Sequence, residues 1–419
     1  MYTVSDKRLG EVYPGFSVKA DFYRSRIDTV LMGYKETFGG DSPRIFTAPG
    51  RTEIGGNHTD HQHGCVLAAA VDLDILAAAE ENDSNKIRIL SDGYDMVEID
   101  LSSLEAVEDE KNTSASLIRG VAAKITEMGY EVKGFDSFMI SNVLKGSGLS
   151  SSAAFEVMIG VIINGLFCNG EIDPVKIAVI GQYAENVYFG KPSGLMDQTA
   201  SSVGGIVAID FENTENPVVR KLDFDFTKTG YSLCIIDSGA DHADLTGEYA
   251  AIPAEMKKAA NAVGKEFLRE TTMDEIFAHM PEVRKAAGDR GVLRTIHFLR
   301  DNKRAQDEAK LLENGDFDGF LNIIKESGYS SFMYLQNVTV CGSSEHQEVA
   351  YALAMCDLLL DGRGAFRVHG GGFAGTVQAF VPNDMLAKFK EGIEKTIGKG
   401  SCHVLSIRNT GGAELTERE

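Results

Sequence analysis

Two short stretches hold most of the side chains that could do chemistry. Residues 50–64, "GRTEIGGNHTDHQHG", set Arg51, Glu53, Asn57, His58, Asp60, His61 and His63 among glycines, just before the small apolar run "CVLAAAV". Residues 190–200, "GKPSGLMDQTA", place Asp197 in a turn of small residues. From its residues alone the first stretch could be a metal site, a surface loop, or a pocket for a ligand rich in hydroxyls to which Gly55 and Gly56 would let the backbone come close. A zinc centre would be built from His58, Asp60, His61 and His63. That would need a regular element or a second ligand cluster, and no Cys/His partner pair occurs elsewhere. His61 and His63 then read as structural or surface groups.

A third stretch, "GSGLSSSAA" at 146–154, runs into an almost wholly apolar segment whose length favours a buried helix. Its glycines allow close approach to a ligand, and its serines can cap the helix while offering hydroxyls to phosphate or a divalent cation. The pattern is neither G-x-x-x-x-G-K-[ST] nor G-x-S-x-G, which excludes a P-loop and a nucleophile elbow. "GGGFAG" at 370–375, ahead of the strand-like "TVQAF", reads as a tight turn or bulge.

These segments need a large scaffold. The chain has 419 residues, 43% of them hydrophobic, which favours two domains, placed here at 1–215 and 216–419. A formal charge of −21 repels nucleic acid and anionic lipid. It does not forbid an anionic small ligand held locally by helix N–H groups. No window is apolar enough to span a membrane and the N-terminus lacks a secretory pattern, so the cytosol is the expected compartment. The six scattered cysteines fit reduced, buried thiols.

Periodicity predicts helices over 16–38, 115–128, 173–189, 253–268 and 345–360, and an amphipathic helix in "MLAKFKEGIEKTI". Strands are expected in "KIRILSD", "DMVEIDL", "GFDSFMIS", "YSLCIIDSG", "TVQAFV" and "CHVLSIR", and the polar tail "GGAELTERE" is expected to fray. Alternation of the two element types gives an α+β fold in two lobes.

Taken in order, the motifs resemble the galacto-, homoserine-, mevalonate- and phosphomevalonate-kinase (GHMP) superfamily, and within it the galactokinase branch. "APGRTEIGGNHTDHQHG" resembles P-G-R-x-N-L-I-G-E-H-T-D-Y, "GSGLSSSAAFEV" the phosphate-loop motif G-x-G-L-S-S-S-A, and "GGGFAG" the third motif. "AENVYFGKPSGLMDQ" is similar to the segment bearing the catalytic aspartate, and "GEYA" at 247–250 falls where galactokinases have a Glu-Tyr pair near the sugar. The resemblance covers residues 46–376 and implies two α+β lobes with the active site in the cleft between them. It implies an ATP- and Mg²⁺-dependent sugar 1-kinase, most simply a galactokinase, with a small-molecule sugar and ATP as its partners and a monomer favoured. Asp197 would be the general base with Arg51 beside it. Asn57, His58, Asp60, Gly194 and Tyr249 would bind the sugar. Gly146, Ser147, Gly148, Leu149, Ser150, Ser151 and Ser152 would wrap the nucleotide phosphates, and Ser152 with Glu185 would ligate Mg²⁺.

Two departures bear on substrate. Asn57 stands where the pattern has glutamate, and Glu53 where it has asparagine. A neutral residue at 57 would tolerate a sugar carboxylate, so a uronic acid such as galacturonate is the alternative substrate. A catalytically silent sugar and ATP sensor is the alternative from another class. "AAIPAEM" after Tyr249 is a milder departure from an arginine-rich segment.

Overall fold

The computed structural model describes residues 2–144, 148–191, 193–240 and 245–418. Its strands are β1 (Tyr2–Thr3), β2 (Arg44–Gly55), β3 (Cys65–Glu81), β4 (Lys86–Ser91), β5 (Val97–Asp100), β6 (Phe135–Ser141), β7 (Ile206–Asp210), β8 (Val218–Leu222), β9 (Tyr231–Asp237), β10 (Ala365–His369), β11 (Thr376–Pro382), β12 (Cys402–Leu405), β13 (Ala413–Glu414) and β14 (Glu417–Arg418). Its helices are α1 (Asp6–Val12), α2 (Phe16–Phe38), α3 (Ser114–Glu127), α4 (Ser151–Phe167), α5 (Pro174–Tyr183), α6 (Met196–Val203), α7 (Thr246–Ala262), α8 (Met273–Ala278), α9 (Met280–Glu313), α10 (Phe317–Ser330), α11 (Glu348–Leu360) and α12 (Leu386–Thr396).

The first lobe is organised by β3, which pairs antiparallel with β2, β6 and β7 along different parts of its length. Its alanines at 68–70 and 77–79 are fully buried, so helices can pack close on the sheet. The almost wholly apolar α4 is one of those helices, and its sequence makes an interior helix rather than an amphipathic one. The second lobe is an antiparallel sheet in the order β10-β11-β9-β12. Alternation along β9 sends Cys234 and Ile236 into a core with α11 and α12, while Leu233 and Ile235 join the core that continues into the first lobe. The long α9, broken at Gly288, packs on α7, α10 and β3 and so ties the lobes together.

The structure differs from expectation at the tail and at one helix. The tail does not fray: Ala413 and Glu414 pair with Thr47 and Phe46 of β2, Glu417 and Arg418 pair with Thr3 and Tyr2 of β1, and Leu415 is fully buried. Division at residue 216 separates the sheets only in part, because β8 pairs with β7 and the last residues return to the first lobe. The helix expected over 253–268 begins earlier and ends at Ala262, with Pro253 tolerated in its interior. Five of the six cysteines are buried and Cys341 is exposed.

Candidate active site

Strand β2 carries Arg51 just after a bulge, where the register with β3 slips between Pro49 and Arg51. A bulge re-aims the side chain that follows it. Arg51 is thereby turned to Asp197 in the first turn of α6, with Nε donating to Oδ1 at 2.6 Å and an Nη to Oδ2 at 2.7 Å. The same Asp197 oxygen accepts from the Ser150 hydroxyl at the head of α4. Arg51 is also bound to the phosphate-loop segment, its backbone N–H donating to the Leu149 carbonyl at 3.0 Å and its guanidinium to that of Gly148. Gly148 has φ 69°, and a Cβ there would meet the His369 ring at 3.0 Å, so the loop can lie this close only with glycine.

Burial alone would raise the Asp197 carboxyl. The Arg51 charge and the hydrogen bonds from Arg51 and Ser150 outweigh it and hold the group below the usual carboxylate range. Asp197 therefore stands ionised at neutral pH, at the N-terminal end of a helix whose dipole favours the same state.

The signature loop lies against the third motif. His58, at φ 57°, donates from Nε2 to the Gly371 carbonyl at 2.9 Å, which leaves Nδ1 as an acceptor; burial and the neighbouring His61 lower its pKa to about 4. Tyr249 from α7 donates to the Gly372 carbonyl at 2.7 Å. Asp60 accepts the His61 N–H at 2.9 Å and lies against Gly194. His63 stacks on Phe267, with ring centroids 3.7 Å apart, so it is a packing residue. Among the described residues no group of His, Cys, Asp and Glu could hold a metal on its own.

Asn57 does not face the ligand space. Its side chain is fully buried, with Nδ2 donating to Glu53 at 3.0 Å and to the Gly370 carbonyl at 2.7 Å, and Oδ1 accepting from Asn337 at 2.8 Å and Ser331 at 3.3 Å. All four hydrogen-bonding positions of the amide are used within the protein. The expectation that Asn57 contacts the sugar is corrected on that ground, and the uronic-acid alternative loses the contact on which it stood.

Of the phosphate-binding residues, Gly146 and Ser147 lie outside the described residues. Ser152 is exposed in the first turn of α4, and Glu156 lies one turn further along the same helix face. Gln198, next to Asp197, donates from Nε2 to Glu156 at 2.8 Å and to Glu185 at 2.9 Å. Glu185 also takes the Lys191 ammonium at 3.0 Å. Burial and Glu185 push the Glu156 carboxyl well above its ordinary value, and its Oε1 and the Gln198 Oε1 are buried without partners. Sequence reasoning missed a cavity of about 670 Å³ opening at Ser151 and Ser152 and lined by Tyr94, Asn112, Met139 and Phe155, among others. Apart from the head of α4, its walls come from the β4–β5 turn, the approach to α3, and β6, none of which carries a motif.

The two lobes, the glycine-rich head of α4 and the carboxylate of Asp197 held beside it define a GHMP kinase. Residues 116–205 match the GHMP kinases N terminal domain, and residues 32–81 match the galactokinase galactose-binding signature. The chain is 30% identical over 360 residues to a galactokinase of Actinobacillus pleuropneumoniae and 29% identical over 360 residues to one of Streptomyces coelicolor, in each case over 84% of this chain and 88% of the relative. It belongs to the galactokinase family, and is thus a sugar-kinase phosphotransferase. The fold matches the crystal structure of Lactococcus lactis galactokinase complexed with galactose at a TM-score of 0.78 and 23% identity, covering 93% of this chain and 99% of that one. A mevalonate kinase structure matches at a TM-score of 0.61 and 15% identity, covering 87% and 99%. No helix among the described residues is long and apolar enough to cross a membrane.

Proposed function

We propose that this protein transfers the γ-phosphoryl group of ATP to the anomeric hydroxyl of galactose. The observation that carries the reading is the Arg51–Asp197 pair tied to Ser150, which brings a carboxylate, a guanidinium and the head of a phosphate-binding helix to one point. His58, Asp60, Gly194 and Tyr249 surround the sugar in this reading, and the 670 Å³ cavity takes the nucleoside. Residues 148–152 take the phosphates at the N-terminus of the 17-residue α4.

Asp197 orients the attacking hydroxyl and accepts its proton. A carboxylate held below its usual pKa is a weak base, so the proton moves late, once bonding to phosphorus has acidified the hydroxyl. Arg51 keeps the carboxylate charged and in place. Ser152 and Glu185 would hold Mg²⁺, whose charge offsets that on the phosphates. The residues present fit such an ion. They are hard oxygen donors, with the unpartnered Glu156 Oε1 close by, and two protein ligands suffice when phosphate and water complete the shell.

The test is ADP release by the purified protein with Mg²⁺ and ATP across hexoses, pentoses and uronic acids. Release that depends on galactose and exceeds that with galacturonate supports the reading; release with another sugar alone contradicts it.

A further inference from the structure

Besides Ile54 for leucine and His61 for tyrosine, the signature segment differs from the pattern it resembles at three positions spaced by two: Glu53 for asparagine, Gly55 for isoleucine and Asn57 for glutamate. In the structure all three meet side chains of the second half of the chain. Glu53 pairs with the fully buried Arg367 of β10 and accepts from Asn57. A Cβ at Gly55 would overlap the carboxyl of Glu308 from α9, so the isoleucine could not be accommodated beside that side chain. Asn57 joins Gly370, Ser331 and Asn337 through its side chain. Its backbone N–H donates to Asp301 at 2.9 Å, and its carbonyl accepts from His297 Nε2 at 2.9 Å.

We infer that Glu53 and Asn57 are a matched pair of positioning residues, which seat the segment carrying His58 and Asp60 against the second lobe through Arg367 and the Gly370 carbonyl. Two features support this over two independent losses. Relative to the pattern, asparagine and glutamate have exchanged places, so one carboxylate and one amide are retained, and here they are bonded to each other at 3.0 Å. The carboxylate at 53 is also the group in direct ion pair with Arg367, a fully buried cation. The exchange leaves His58 adjoining a fully bonded residue, with its own Nε2 fixed on the next carbonyl of the same turn. The pair thus acts on the sugar loop without touching the sugar.

This inference rests on the proposed sugar site, and its test separates the two. Glu53→Gln keeps an acceptor for Asn57 and removes the charge facing Arg367. The expected result is a rise of about tenfold or more in the KM for galactose, with the KM for ATP within about twofold and the unfolded fraction negligible at assay temperature. Asn57→Glu is expected to weaken galactose and galacturonate alike, leaving their kcat/KM ratio unchanged. A folded Glu53→Gln variant with unaltered galactose KM, or with galactose and ATP affected equally, overturns the inference, as does a changed sugar ratio in Asn57→Glu. Should Glu53→Gln fail to fold, Ser331→Ala removes one donor to Asn57 and no charge, and must show the same sugar-specific rise. If the unaltered protein neither binds nor turns over galactose, the functional reading fails by itself. Hydrogen exchange at the amides of 56–60 then decides the inference: faster exchange in Ser331→Ala supports it, and unchanged exchange contradicts it.

Discussion

Arg51 grips both oxygens of Asp197, at 2.6 and 2.7 Å, from a strand whose bulge lies immediately before it. The pair sets the protonation state of the carboxylate as well as its place. Removing the guanidinium leaves burial, which raises the carboxyl, opposed only by weaker partners. Arg51→Met should therefore move the acid limb of the kcat/KM profile to higher pH. An acid limb that stays where it is in the unaltered protein would show that Arg51 does not control Asp197.

Asp197→Asn keeps the shape and one acceptor and loses the proton acceptor. Turnover should fall by about 10²–10⁴-fold, with sugar affinity within a few-fold. Single-turnover rates and calorimetric sugar titration separate the two effects. Near-normal kcat would remove Asp197 from the role of base.

Ser152→Ala and Glu185→Gln should each raise the Mg²⁺ concentration needed for half-maximal rate, by about tenfold or more. Glu185→Gln also frees Lys191 from its ion pair. Metal titrations at saturating ATP and sugar provide the measurement, and an unchanged metal requirement in both variants would place the cation elsewhere.

His58, His297 and His369 are all buried, and burial is the largest cause lowering each pKa. A histidine neutral in the fold binds fewer protons than in the unfolded chain wherever pH lies between its two pKa values. Stability should then rise with pH through that window and level off above about 6.5. For His58, lowered to about 4, the window runs from about 4 to 6.5 and corresponds to about 3 kcal/mol. Urea unfolding at a series of pH values would show the slope. A flat profile across this range would contradict the assignment of neutral buried imidazoles.

Leu415→Ala tests the docked C-terminus. A fully buried leucine whose N–H donates to the Ile45 carbonyl at 2.8 Å should cost about 2–5 kcal/mol on truncation. A frayed tail would make the substitution neutral in denaturant unfolding.

Local signals found local elements. Helix α5 is announced by Asp173 capping the Lys176 N–H and by Pro174, and α3 by its apolar spacing. Strand β3 escaped because it is buried on both faces for most of its length and carries no alternation. Helix α9 escaped because it is largely polar and interrupted at Gly288. The tail looked solvated because its burial depends on partners hundreds of residues away, on β1 and β2. The same division holds in the site. Arg51, Ser150 and Asp197 lie in stretches whose residue types and motif resemblance marked them out. Asn57 could not be read, because its side-chain partners apart from Glu53 lie at 331, 337 and 370 and its polarity looked like ligand chemistry.

The most direct test of the central claim is a phosphorus NMR time course with the purified protein, ATP, Mg²⁺ and galactose. The account predicts a sugar 1-phosphate resonance growing in equal amount with ADP, absent when galactose is omitted and lost in Asp197→Asn. No sugar phosphate, from a sample that binds galactose and ATP, would contradict it and leave a binding protein on a kinase scaffold.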